Sequence, residues 1–320
     1  MSTLTERLED YLAVRRSLGF DSSFSARVLR RFTAFADREG IDHITVDLFL
    51  RWKAVFGKAD NSTWSTRLGM VRVFARWLQA HDRRTEVPPA GLIAGKPRRA
   101  RPYVYSDEEV VAIVTRAASL SSRYELRGWT CSTLFGLIAA TGLRINEALQ
   151  LDDDDVDLDA GVITVKRGKN GRARFVPIAV STVDRLRIYR LERMRLLGAS
   201  AGAFFRNDNG HRLRDGKARY NFAVVSQALG LREAQRFCRN GRGPRIHDLR
   251  HTFAVRTITA WYRNGLDPDR EMSKLSTYLG HARPQDTYWY IEAVPELLRL
   301  ASDRAERALH RGASKRSCSR

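Results

Sequence analysis

Apolar residues recur at helical spacing through the N-terminal part of the chain. Leu4, Leu8, Tyr11 and Leu12 fall on one face, and Gly19 ends the run. Ser22 or Ser23 can cap a second helix carrying Phe24, Val28, Leu29, Phe32 and Phe35, closed by Gly40. Thr45 precedes a third with Phe49, Leu50 and Trp52, and a fourth spans about Ser62 to His81 with Trp64, Leu68, Val71, Phe74, Trp77 and Leu78. No strand pattern interrupts these runs, so residues 1–85 read as a bundle of four helices. Residues 86–102, with Pro88, Pro89, Pro97 and Pro102 among basic residues, read as a linker, because proline and glycine at that density break helices.

The pattern changes over residues 103–312. Ser106-Asp-Glu-Glu109 is a capping box that opens a helix through Val110, Ile113 and Val114. A second helix runs from Leu126 to Ala140, Gly142 turns the chain, and a short helix follows through Leu151. Alternating β-rich runs at 161–166 and 172–178 flank Asn170-Gly171, a hairpin signal. Helices are expected at about 181–197 and 214–229, with a short strand at Ala203-Phe-Phe205 between them. A long helix begins near His247 and ends near Gly265, a short one covers Ser273 to Leu279, and an amphipathic helix runs from Pro295 to about His310. Its apolar stripe predicts docking into a neighbouring copy of the chain. Residues 313–320 read as a basic, disordered tail. The fold class is mainly α with a small antiparallel β-sheet: a helical domain followed by an α+β domain.

Charge narrows the partner. The chain of 320 residues carries 56 Lys+Arg against 36 Asp+Glu, a formal net charge of +20, which points to a polyanion, most simply nucleic acid. Of those cations 48 are arginine, the residue suited to bidentate phosphate contacts. In the N-terminal helices Arg15, Arg16, Arg27, Arg30, Arg31, Arg67, Arg72 and Arg76 lie at polar positions, and together they suit contacts to a phosphate backbone. Three cysteines, Cys131, Cys238 and Cys318, have neither the number nor the spacing of a disulfide framework or a zinc site. No apolar run has membrane-spanning length and no signal peptide opens the chain, so a soluble cytoplasmic protein is expected.

The acidic run Asp152-Asp-Asp-Asp155 invites a metal reading. Contiguous aspartates point in different directions, whereas metal sites gather carboxylates from separated elements, so a solvated loop is expected and no metal or cofactor is assigned. Anion sites are better marked. Arg144 stands at the start of a helix, where backbone N–H groups favour an anion, with Glu147 on the same face. His247 and Arg250 share a face at the start of another. Lys169 stands at the hairpin tip, with Lys166 four residues back as its competitor.

Four segments in order, Ala140-Thr-Gly-Leu-Arg144-Ile-Asn-Glu147, Lys169-Asn-Gly171, His247-Asp-Leu-Arg250-His251 and Leu279-Gly-His281 followed nine residues later by Tyr290, resemble the tyrosine recombinase (phage integrase) family. The resemblance covers residues 103–312, and the N-terminal bundle is similar to the family's core-binding domain. It implies DNA cleavage and rejoining through a 3′-phosphotyrosyl intermediate, without cofactor, by a homotetramer on double-stranded DNA, together with sister recombinases or accessory proteins in some systems. It implies that Arg144 and Arg250 clamp the scissile phosphate, Lys169 protonates the leaving 5′-oxygen, His247 serves as acid/base, His281 binds the phosphate, Glu147 supports Arg144 and Tyr290 attacks. His251 is expected to pack or orient. Tyr288 rivals Tyr290, and on one helical turn the two would point about 200° apart. The sequence ending resembles integrase-like enzymes of mobile elements. A type IB topoisomerase-like enzyme and a catalytically silent DNA-binding accessory protein are the alternatives.

Overall fold

The computed structural model describes residues 3–20, 23–57, 59–95, 101–166, 173–198, 202–235 and 238–317, excepting the side chains of 235–241 and 307–317. The chain divides into two units, Met1–Ala100 and Arg101–Arg320.

The first unit holds α1 (Leu4–Ser17), α2 (Ser23–Arg38), α3 (Val46–Val55) and α4 (Asn61–Gln79). Their starts are set locally: Thr3 and Glu6 form a capping box, and the Thr45 and Asp60 side chains accept from backbone N–H groups in the first turns of α3 and α4. The apolar faces meet in one core of Leu4, Leu8, Phe32, Phe49, Trp52, Trp64, Leu68 and Phe74. Trp52 and Trp64 lie edge to face with centroids 5.1 Å apart. Truncating either to alanine would cost about 3–5 kcal/mol. The first half of the expected linker folds onto this bundle. Glu86 N donates to Ile44 O at 2.7 Å, Arg72 Nε donates to Pro88 O at 2.6 Å, and Ile93 joins the core. Proline stops helices there without stopping packing.

The second unit opens with α5 (Asp107–Ala118) and α6 (Leu126–Thr141). Leu126, Cys131, Leu134, Phe135, Leu137 and Ile138 of α6 all lie in the main core. Short α7 (Ile145–Leu149) leads to β1 (Val156–Asp157), β2 (Val162–Val165) and β3 (Arg174–Pro177), an antiparallel sheet in the order β1-β2-β3 with Ile163 opposite Val176. Then come α8 (Val180–Leu197), α9 (Asp215–Ala228), the hairpin of β4 (Glu233–Gln235) and β5 (Cys238–Arg242), α10 (Ile246–Arg263), α11 (Pro268–Leu279), α12 (Gln285–Ala293) and α13 (Pro295–Ser317). Helix α10 spans two cores. Ile246 and Leu249 belong to the main one, while Ala254, Val255 and Ile258 join Met272, Leu275, Tyr290 and Leu297 in a second. Among the described residues no helix is long and apolar enough to cross a membrane.

Several local expectations change. Ala203-Phe-Phe205 forms only an isolated bridge to Asp152, with Phe204 and Phe205 fully buried. The acidic run is not a solvated loop. Asp153 meets the buried Arg193 at 2.6 Å, Asp152 pairs with Arg212, and the buried Asp155 meets Lys166 at 2.7 Å. The aspartates neutralise arginines and a lysine that neighbouring segments bring to them. The β4–β5 hairpin and α12 were not expected, and α11 begins at Pro268 rather than Ser273, with Asp267 as its cap and proline in its first turn. Helix α13 extends through the stretch read as a disordered tail as far as Ser317. It is fastened to its own unit by the buried Leu297, by Glu296 to Arg263 at 2.8 Å and by Arg304 to Asp267 at 2.8 Å.

Candidate active site

The two motif arginines converge on one turn. Gly142, with φ of 63°, ends α6 in the left-handed conformation and lets Arg144 stand at the N-cap of α7. Arg144 Nη2 donates to Gly280 O at 2.9 Å and Nη1 donates to Glu147 Oε1 at 2.8 Å and to Leu279 O at 3.3 Å. Arg250, on the first turns of α10, donates from Nη1 to Gly142 O at 2.6 Å and from Nη2 to Leu279 O at 2.8 Å. Both guanidiniums therefore share the Leu279 carbonyl. Arg250 is 1% exposed; burial, then the Arg144 charge, pulls its pKa down to about 10, so it stays a cation at neutral pH.

Glu147 is buried between two arginines, Arg144 and Arg174. Burial opposes its ionisation, but the hydrogen bonds and charge of Arg174, and those of Arg144, hold its carboxyl below its ordinary pKa. Arg174 is a residue the sequence reading missed. The signal was an inverted strand pattern in β3: the Arg174 side chain is 11% exposed, whereas Phe175 beside it is 71% exposed.

His247 is mostly buried one position into α10. Burial, followed by the charges of Arg250, Arg245 and Arg144, lowers its pKa to about 4, so its imidazole is neutral at pH 7. His251 follows one turn later on the same face, its ring edge-on to His247 with centroids 4.6 Å apart. His281 follows Gly280, whose φ of 66° ends α11. Its Nδ1 lies 2.7 Å from Thr287 Oγ1, and its ring stacks 6.4 Å from that of Tyr290.

Helix α12 separates the two tyrosines. Tyr290 faces in, 1% exposed, with its Oη 2.9 Å from His251 Nδ1; Tyr288 faces out, 39% exposed. Lys169 lies outside the described residues, as does the Asn170-Gly171 turn. Its competitor Lys166 is engaged by Asp155, and that carboxylate raises its pKa.

The N-terminal arginines divide. Arg27, Arg31 and Arg67 line a cavity of about 280 Å³ with Phe24, Phe56 and Thr63. Arg67 lies 4.5 Å from the Trp64 ring and 4.7 Å from that of Phe56. Arg15 covers Phe20 at 4.5 Å, and Arg76 is exposed. Arg30 is held by both oxygens of Glu9 at 2.7 and 3.1 Å, Arg16 by Leu12 O at 3.3 Å and Arg72 by Pro88 O.

Residues 105–296 match the phage integrase family. The chain belongs to that family. It is a tyrosine recombinase, an enzyme that breaks and rejoins DNA. A protein named as an integrase/recombinase, y4rB of Sinorhizobium fredii (strain NBRC 101917 / NGR234), is 42% identical over 312 residues, covering 96% of this chain and 98% of its own. The tyrosine recombinase XerC of Chromobacterium violaceum is 30% identical over 231 residues, covering 70% of this chain and 67% of its own. Among solved structures, the XerH site-specific recombinase in a post-cleavage complex with its difH substrate superimposes with a TM-score of 0.62 at 20% identity. That match covers 88% of this tyrosine recombinase and 78% of the XerH chain, and it shows a shared fold.

Proposed function

We propose that this recombinase acts at specific DNA sites of a mobile element, to integrate, excise or transpose it, through a phosphotyrosine bond at Tyr290. One convergence supports the reading: Arg144, Arg250, His281 and Tyr290, from stretches far apart in sequence, gather around the Leu279-Gly280 turn.

A guanidinium has five N–H donors. The hydrogen bonds described here use three from Arg144 and two from Arg250, which leaves donors on each for the non-bridging oxygens of one phosphate. Two fixed cations offset the charge that grows on a pentavalent phosphorus, as preorganised donors do for any oxyanion. Glu147 keeps Arg144 in place. The neutral His247, together with His281, hydrogen-bonds the phosphate, and His247 gains basicity once that anion is bound. Lys169 protonates the departing 5′-oxygen. The phosphotyrosine keeps the bond energy of the phosphodiester, so a 5′-hydroxyl from another strand can reverse the attack.

The substrate is double-stranded DNA, gripped by the basic N-terminal bundle. The working assembly is a homotetramer on two duplexes in the cytoplasm, joined in some settings by sister recombinases or accessory proteins. The test is capture of the covalent adduct on a nicked duplex built from DNA flanking the gene, with the linked residue mapped. Tyr290→Phe should abolish the adduct and keep DNA binding. An adduct on Tyr288, or one that survives Tyr290→Phe, overturns the assignment. Relaxation of supercoils by a monomer at arbitrary sequence would favour a topoisomerase instead.

A further inference from the structure

His251 is unused in the mechanism above, yet it touches the attacking atom. It is 7% exposed, and its Nδ1 stands 2.9 Å from Tyr290 Oη. Its ring is fixed on three sides, by His247 at 4.6 Å, Trp289 at 5.7 Å and Tyr290 at 5.5 Å between centroids. A phenol with a reference pKa near 10 is almost wholly protonated at neutral pH, so its attack on phosphorus requires somewhere for the proton to go. Proton acceptors work from about 2.6–3.2 Å, and the His251 distance lies inside that window. His247 is placed differently: burial, and then the charges of Arg250, Arg245, Arg144 and Arg219, make it a poor acceptor until an anion arrives.

We propose that His251 is the base that takes the proton of Tyr290 during strand cleavage and returns it during rejoining. The inference rests on the assignment of Tyr290 as nucleophile. Before attack His251 carries its proton on Nε2 and accepts the phenol hydrogen bond at Nδ1. As the Tyr290 Oη–phosphorus bond forms, the phenol proton passes to Nδ1. The phosphorus–O5′ bond breaks with its electron pair going to O5′, which is protonated by Lys169. In the reverse step a 5′-hydroxyl attacks phosphorus and gives its proton back to the Lys169 amine, the phosphorus–Tyr290 Oη bond breaks with its electron pair going to Oη, and the His251 imidazolium protonates that phenolate. Residues His251 and Tyr290 come from α10 and α12, so the pair forms only when the C-terminal helices are folded onto each other.

The experiment measures the rate of adduct formation on the nicked duplex described above, using full-length protein. His251→Ala and His251→Phe are compared with the native chain, and DNA binding is followed in parallel. Both variants should bind DNA as the native chain does and form adduct about 100-fold or more slowly, the usual size of general-base catalysis. Free imidazole should accelerate His251→Ala, which leaves a space for it, and not His251→Phe. Substituted imidazoles should act in order of their basicity. A His251→Phe chain as fast as native overturns the proposal, and so does a slow His251→Ala chain that imidazole leaves slow, because a residue that only packs against Tyr290 predicts that result. Tyr290→Phe separates the two ideas: adduct persisting there removes the nucleophile assignment, whereas adduct mapped to Tyr290 with a dispensable His251 removes only the base.

Discussion

Arg174 holds Glu147 with both arms of its guanidinium, Nη1 to Oε1 at 3.1 Å and Nη2 to Oε2 at 2.7 Å. Its Nε donates to Tyr278 O at 2.8 Å, so one side chain of β3 ties the sheet to α7 and to the end of α11. The strand it sits on pairs antiparallel with β2. Replacing Arg174 by alanine would leave a buried carboxylate with Arg144 as its remaining partner, at a cost of about 3 kcal/mol. Arg174→Lys keeps the charge and loses the fork geometry. Both variants should lower the denaturation midpoint, and both should slow adduct formation more than they weaken DNA binding. Native-like cleavage by Arg174→Lys would show that charge alone suffices there.

Gly280 presents a separate test of the same turn. Its φ is +66°, and a Cβ built on it would stand 2.7 Å from Arg174 Nη1. Gly280→Ala therefore combines backbone strain of about 1 kcal/mol with displacement of a guanidinium that cannot move without releasing Glu147. The expected result is a folded protein that binds DNA and cleaves poorly, read by melting, gel retardation and adduct yield. Full cleavage by this variant would show that the turn tolerates a shift of Arg174.

The lowered pKa of His247 predicts acid sensitivity. An unfolded histidine titrates near 6.5, while His247 in the folded chain titrates at about 4 because burial and nearby arginines resist its charging. Between those values the unfolded chain binds the extra proton, so stability falls as pH drops from about 6.5 towards 4. At pH 4.5 the loss through this residue is roughly 2.5 kcal/mol. Urea titrations at pH 7 and pH 4.5 should show His247→Asn losing less stability over that interval than the native chain. Equal losses would place the histidine in a less cationic setting.

The N-terminal arginines should not contribute equally to DNA affinity. Arg31 faces a cavity shared with Arg27 and Arg67, whereas Arg30 is already paired with Glu9. Arg31→Ala should weaken binding and reduce the slope of log affinity against log salt by about one phosphate contact. Arg30→Ala should leave that slope nearly unchanged. Fluorescence anisotropy over a salt series checks both, and the reverse order would place the DNA on the Glu9 side of the bundle.

Local chemistry was enough to read most helices. Caps such as Thr45 and Ser106, apolar spacing in α2 and α4, and the glycines at 19 and 142 act within a few residues, so a linear reading finds them. The ordered motifs around Arg144, His247, Arg250, His281 and Tyr290 were equally legible, because the family resemblance is carried by residue type and spacing. The hairpin β4–β5 escaped notice because Glu233 to Arg242 is polar and shows no alternation. The acidic run was misread because its arginine partners lie far along the chain, Arg193 being 40 residues from Asp153 and Arg212 being 60 from Asp152.

By itself, then, the sequence determined most of the helices and the β2–β3 pair, the basic character of the chain and the set of residues able to hold a phosphate. Tertiary structure decided which of them meet. Tyr290 rather than Tyr288 faces inward because α12 packs its Tyr290 side against α10, and His251, whose Nδ1 lies 2.9 Å from the Tyr290 hydroxyl, is 39 residues away. Arg174 reaches Glu147 across 27 residues and Tyr278 across 104. Helical period and capping are properties of neighbours along the chain. A hydrogen bond between α10 and α12, or between β3 and α7, exists only after burial of the intervening apolar faces brings those elements together, and no spacing rule encodes it.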